Sequence, residues 1–392
     1  MRRFLLNLLS FATLATAQSP SINSFTQVEI ANGDAFQNIS DVADQMMRQN
    51  IGGRASASCT YANADVRREW RTLPRATRKA FTDAVTCLQK MKPRRMTVGQ
   101  AKAYPGVKSR YDEYVATHIN YTYNIHDTSD FFAWHRGFVH FLEQDLRDLC
   151  GYPGVMPYWN WSEDAEAPQN SPLFSGDTYS MGSNGRFVAG RTDTWLAQQD
   201  IVYPPGLGGG CVQRGPFTNY TVNLGPLSLP GNRNVASMFQ YNPRCLERDI
   251  NPWFSKKFTT YTNLTTLMLE NIYLEDFQDL AQGYGSATNK FGVHGGGHWQ
   301  IGGSMMDFNS SPSDPLFFLH HSMTDRMWLI WQYLDIWNRQ FAISGTATLG
   351  CKSPDCPQMT LDDKLPFGFV APDQTFRSLM DTMAGPLCYR YE

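Results

Sequence analysis

Every histidine of this 392-residue chain falls into one of two groups: His118, His126, His135 and His140, then His294, His298, His320 and His321. A lone histidine is ordinarily a hydrogen-bonded side chain in or near a core. Two remote groups, each with a pair carried on a helical pattern, require a fold whose interior brings them together. His135 sits mid-way along "SDFFAWHRGFVHFLEQDLRDL", where Phe131, His135, Phe138, Leu142, Leu146 and Leu149 recur at three- and four-residue steps and make one apolar helix face. His321 lies on the apolar side of "SDPLFFLHHSMTDRMWLIWQYLDIW", with Phe317 and Trp328. His294 and His298 stand four apart, one turn along one face. Their spacer, Gly295-Gly296-Gly297, is the poorest ordinary helix former. Bundles build metal sites by aiming helix-borne side chains inward. The expected fold is therefore mainly α, with a four-helix bundle core and extensive irregular loops.

Neutral imidazole ligates Zn, Cu, Fe and Ni. Three imidazoles for each of two metals would use six of the eight histidines. No cysteine lies within either group, against a structural zinc site. "HGGGH" lacks the glutamate of H-E-x-x-H, against a zinc protease. A 2-His-1-carboxylate iron site would need a carboxylate such as Asp127, beside His126. Paired three-histidine sites suit copper best, and a three-histidine zinc site stays open.

The rest of the chain frames these groups. Arg2, Arg3, an apolar run and the small-residue site Ala15-Thr16-Ala17 predict a signal peptide over residues 1–17 and a secreted protein of residues 18–392. The run is too short to span a bilayer, and no later stretch is long and apolar enough. Eight cysteines, an even number without any C-x-x-C, fit disulfides in an oxidising compartment but leave the pairing open. Sequons stand at Asn38, Asn120, Asn160, Asn219, Asn263 and Asn309. A net charge of -2 gives no footprint for a nucleic-acid partner. Helices are also expected after Pro74 and, as one element, over "TNLTTLMLENIYLEDFQDLA". Between about 163 and 252, Gly, Pro, Asn and Ser predominate and periodicity fades, which reads as a loop-rich insertion in a single domain.

"FFAWHRGFVHFLEQDL", "HGGGHWQIGG" and "DPLFFLHHSMTDRMWLIWQ" resemble the copper-A and copper-B signatures of type-3 copper proteins, the family of tyrosinases, catechol oxidases and molluscan-type haemocyanins. The resemblance runs from about Arg54 to the end and is closest to short secreted fungal members. It implies two copper ions, one held by His118, His126 and His135 and one by His294, His298 and His321. His320 is then a second-layer or packed histidine, and His140 is structural. Asp325, one turn beyond His321, is expected either to accept a hydrogen bond from a ligand ring or to pair with Arg326 or a neighbour. The glycines are expected to keep side chains at 295–297 away from the metals. Tyr389 and Tyr391 resemble the Tyr-x-Tyr segment that closes the family's core, and no shielding domain is expected after it.

Departures from the family pattern refine the expected activity. Where some members link a cysteine to the second copper-A histidine, this chain has Asn124, so no such link is expected. Members that hydroxylate monophenols often carry Asn after the first copper-B histidine, with an upstream Glu; here the position is Gly295 and "GSATNKFGV" offers no carboxylate. Trp299 and Phe308 are candidates for the substrate pocket, or for the core. The resemblance implies an oxidase that converts o-diphenols to o-quinones while reducing O2 to water, with small phenols and O2 as its partners. A tyrosinase that also hydroxylates monophenols or substituted phenols is the nearest alternative. A haemocyanin-like O2 carrier is the alternative of another class.

Overall fold

A computed structural model of the chain describes residues 20–50, 58–196, 199–227, 239–283, 291–351 and 355–392. The expected signal peptide lies outside the described residues. In chain order the helices are α1 (Gln27–Asn32), α2 (Asp34–Arg48), α3 (Arg75–Lys90), α4 (Val98–Ala103), α5 (Arg110–Tyr121), α6 (Phe131–Asp148), α7 (Pro252–Phe258), α8 (Tyr261–Glu270), α9 (Leu274–Gln282), α10 (Gly292–Trp299), α11 (Leu316–Leu334) and α12 (Ile336–Arg339). The protein is mainly α, as the periodicity predicts.

α6 and α11 pack side by side at the centre. Phe132 stacks on Trp328 at 5.3 Å and Phe138 on Phe318 at 5.5 Å, so the join is built of the large apolar residues that set each helix's inward face. α2 covers the far flank of α11, α3 packs on α5 and α6, and α10 lies between α7, α9 and α11. α11 is buried along its whole length, so polar residues on it such as Asp325 find their partners inside the protein. α6 starts after Asp130, which makes no capping bond from its side chain, and α11 starts after Pro315.

One expected element is corrected. The stretch read as one helix is two, α8 and α9, broken at Asn271–Tyr273. Asn271 Nδ2 donates to the Leu267 carbonyl at 2.9 Å, and the Asn271 carbonyl accepts from Trp331 Nε1 at 2.7 Å. Those bonds satisfy the end of α8 with groups other than a continuing helix.

Strands are short and paired in twos: β1 (Asp65–Arg67) with β10 (Tyr389–Tyr391) in parallel, and antiparallel β2 (Gly185–Phe187) with β5 (Gly209–Val212), β3 (Thr194–Leu196) with β4 (Ile201–Tyr203), β6 (Thr221–Val222) with β7 (Arg244–Cys245), and β8 (Lys364–Leu365) with β9 (Gln374–Thr375). β2 to β7 lie in the loop-rich region. A buried two-point ion pair, Arg248 to Asp314 at 2.7 and 2.8 Å, fixes that region to the start of α11. All eight cysteines pair, as Cys59–Cys388, Cys87–Cys150, Cys211–Cys245 and Cys351–Cys356. The sequons at Asn160 and Asn309 are buried and cannot carry a glycan in the folded protein, whereas Asn38 and Asn219 are exposed.

Candidate metal centre

His118 enters from the last turn of α5, a helix whose start is fixed by the reciprocal capping of Ser109 and Asp112. Its Nδ1 lies 2.7 Å from the Asn309 carbonyl. That carbonyl is held in turn by Asp307, which accepts the N–H groups of Asn309 and Ser310 at 3.1 and 2.7 Å. His126 comes from the link after α5, beyond the single turn Thr122–Asn124, and its Nδ1 meets the Thr122 carbonyl at 2.9 Å. His135, in the second turn of α6, sets Nδ1 on the Phe131 carbonyl at 2.8 Å. A carbonyl can only accept, so each Nδ1 carries the proton and each Nε2 is a bare lone pair. The Nε2 atoms of His118 and His135 are buried without a partner. Ligand atoms of the three rings lie within 4.8 Å of one another.

The second group is built from α10 and α11. His298 Nδ1 reaches the Met305 carbonyl at 2.8 Å, which leaves its Nε2 bare. That Nε2 stands 3.2 Å from His294 Nε2 and 3.3 Å from His321 Nε2. Three ring nitrogens aimed at one point cannot all be satisfied by one another, whereas a cation at that point satisfies all three. His320 belongs to the same cluster, with ligand atoms within 4.8 Å. Its ring packs 4.9 Å from Trp161 and its two nitrogens have no partner.

The two groups meet. His135 and His321 stack with ring centroids 4.3 Å apart, and His126 lies 6.3 Å from His294. Histidines from the two halves of the sequence thus line one interior. Phe131 and Phe317 wall it, at 4.8 Å from His294 and 4.1 Å from His321. Burial in this apolar shell lowers every ring's affinity for protons: to about 4 at His126, about 3 at His298, and well below the usual value at His118, His135, His294, His320 and His321. At neutral pH all are uncharged, the state in which imidazole binds a metal. The donor set, the orphaned Nε2 atoms and the absence of a carboxylate or thiolate from either cluster fit two three-imidazole copper sites.

The same shifts set an acid limit on the metal-free protein. Each ring binds its proton more weakly folded than in the unfolded chain, where the value is near 6.5. The unfolded state therefore takes up protons first as pH falls. The stabilising contribution is complete above about 6.5 and is lost progressively toward the folded values. Denaturant midpoints of the metal-free protein are expected to hold from pH 8 to about 7 and to fall steeply below about 6.5. A flat profile down to pH 5 would refute buried neutral rings.

Asp325 and Trp299 take the second of their two expected roles, and the reading of the glycines changes. Asp325 receives no hydrogen bond from a histidine, and its ion pair forms with Arg136 rather than Arg326. It accepts from Arg136 Nε at 2.6 Å, Tyr389 at 2.5 Å and Tyr391 at 2.7 Å, with Arg67 Nη1 at 3.4 Å. Four of the rings, those of His118, His126, His135 and His298, are oriented by main-chain carbonyls instead, which leave no mark in a sequence. Trp299 packs among Tyr203, Phe254 and Phe291, in a satellite aromatic cluster, whereas Phe308 lies 4.8 Å from the His126 ring. The glycines are compact for reasons other than the metals. A Cβ on Gly297 would strike the His320 ring, and one on Gly296 would come within 2.5 Å of Phe258 Cβ. Gly295 has room, since its Cβ would meet Phe291 at 3.4 Å and the Gln282 carbonyl at 3.7 Å. Gly297→Ala should cost about 1–3 kcal/mol in a denaturant titration. Gly295→Ala should be neutral or stabilising by up to about 1 kcal/mol; equal losses at both positions would contradict the packing described.

A family model described as the common central domain of tyrosinase matches residues 108–334. Tyrosinase P of Aspergillus terreus is 38% identical over 352 residues, which cover 86% of this chain and 97% of that protein. An N-acetyl-6-hydroxytryptophan oxidase of Emericella nidulans is 36% identical over 352 residues, 85% of this chain and 94% of that one. Among solved structures, a variant of the polyphenol oxidase of Thermothelomyces thermophila aligns with a TM-score of 0.83 at 35% identity, covering 94% of this chain and 99% of that chain.

Proposed function

The chain belongs to the tyrosinase family of copper oxidoreductases, and from that premise we propose that it is a secreted catechol oxidase, turning o-diphenols into o-quinones. The carrying observation is the meeting of two buried imidazole triplets at the His135–His321 contact, 4.3 Å between centroids. His118, His126 and His135 would hold one copper, and His294, His298 and His321 the other. When bound, the copper pair supplies the two-electron exchange between the phenol and O2.

The chain's own residues do the rest. The carbonyls of Asn309, Thr122, Phe131 and Met305 hold four of the rings in their metal-facing orientation. Phe131 and Phe317 exclude water from the imidazole cluster. A flat substrate ring would enter beside His294, next to half-buried Gly295, where an added Cβ would already be in contact with Phe291 and the Gln282 carbonyl. Phe308, half-buried over His126, offers that ring an aromatic face. Gly295 also has no side chain with which to position a water for phenol deprotonation, so monophenols should be poor substrates. Pairing of all eight cysteines supports an oxidising, extracellular destination.

Copper quantification together with O2 uptake tests the reading. Two coppers per chain, steady uptake with catechol and little with tyrosine are expected. Sustained tyrosine hydroxylation would overturn the role given to Gly295. Reversible O2 binding without catechol turnover would make the protein a carrier. One copper or none would end the two-metal assignment.

A further inference from the structure

Arg326 follows Asp325 in the signature yet takes no part in the Asp325 network. It lies five residues beyond His321, which turns it to the opposite flank of α11. There it is 5% exposed, with Nε and Nη1 buried and unpartnered. Its hydrogen bond among the described residues is long, Nη2 to Ser40 Oγ at 3.4 Å. The guanidinium lies 5.0 Å from the centroids of Phe36 and of Tyr158, whose faces offset part of the cost of burying the charge. Orphaned buried donors are rare and call for an explanation.

Arg326 lines a cavity of about 380 Å³ between α2 and α11, whose lining includes none of the histidines. Met47, Leu329 and Ile330 give it an apolar wall. The carboxylates around it are engaged elsewhere: Asp44 with Tyr61 and Arg48, Asp41 with Gln37, and the Glu392 side chain with Arg68. Arg390, also at this cavity, has Asp44 at 3.9 Å and leaves its own Nε unpartnered. Three arginines and three carboxylates line the cavity, and the buried donors left without a partner there are all on arginines, Arg326 and Arg390, beside hydrocarbon. We propose that this cavity is a binding site for a small organic carboxylate, its anionic end on Arg326 and its hydrocarbon against Met47, Leu329 and Ile330.

Calorimetric titration of the copper-loaded protein with hexanoate tests this, with sulfate as the purely inorganic comparison. The expected result is saturable binding of one hexanoate, with Kd on the order of 1 mM or tighter, and at least about tenfold weaker binding of sulfate. Arg326→Met should weaken hexanoate binding at least about tenfold while catechol turnover stays as in the parent. Hexanoate should not raise KM for catechol, which separates this cavity from the copper pocket. If Arg326→Met does not fold, Leu329→Trp, which fills the cavity and keeps the guanidinium, should abolish binding. No saturable binding, binding undiminished in the variant, competition with catechol, or sulfate matching hexanoate would each overturn the proposal.

Discussion

Alanine in place of His135 is expected to halve the copper content, from two ions per chain to one, and to cut catechol turnover at least ~100-fold, since loss of an outer-shell partner alone commonly costs 10–100-fold. The expectation rests on how the ring is held. Its Nδ1 is committed to the Phe131 carbonyl, its Nε2 is orphaned, and its face lies against His321. Removal leaves the remaining rings of that cluster, His118 and His126, with a two-nitrogen site and a gap no neighbour fills, because α6 is fixed on α11 by the surrounding aromatic stacks. His140→Ala is the matched control. That histidine sits on the same helix, is buried beside Phe141, and belongs to neither cluster. It should retain both coppers, measured by elemental analysis on the folded protein. Two coppers in His135→Ala, or one in His140→Ala, would overturn the ligand set.

Much of this architecture is written locally in the sequence. Three- and four-residue spacing identifies α6 and α11, and the pair His294/His298 marks α10 despite its glycines. The boundary between α8 and α9 is not written there. Leu264, Leu267, Leu274 and Phe277 keep a helical rhythm across the break, and the break is stabilised by Trp331, sixty residues away. The same limit applies around the metals. The two histidine groups are legible because the signatures are local. The carbonyls that orient four of the rings are not, since any residue supplies one. Asp325 shows the limit most clearly. One turn from a proposed ligand, it invites a role at the metal, and only the fold reveals partners 189, 258 and 64 residues away.

Those partners make Asp325 the second site where a single change should have a large effect. Arg136, the residue after His135, joins Asp325, one turn after His321, with both groups buried. The pair therefore ties together the two helices whose histidines meet. Arg67 lies 3.5 Å from the centroid of Tyr389 and is paired with Glu143, while Tyr389 and Tyr391 donate to Asp325, so β1 and β10 close over the same charges. Burial and the neighbouring carboxylate hold both tyrosines protonated far above the ordinary phenol range, which keeps them donors at any working pH. Asp325→Ala strands the Arg136 guanidinium in the core and should cost about 3–5 kcal/mol. Asp325→Asn keeps an acceptor for the tyrosines and should cost less. A hydrophobic double replacement, Arg136→Met with Asp325→Leu, should recover much of the loss, because no unpaired charge remains buried. If the tie also sets the spacing of the two clusters, the double variant will regain stability yet bind its second copper more weakly than the parent. Full recovery of both would mean that the pair serves folding alone, and that packing of α6 on α11 by itself positions His135 against His321.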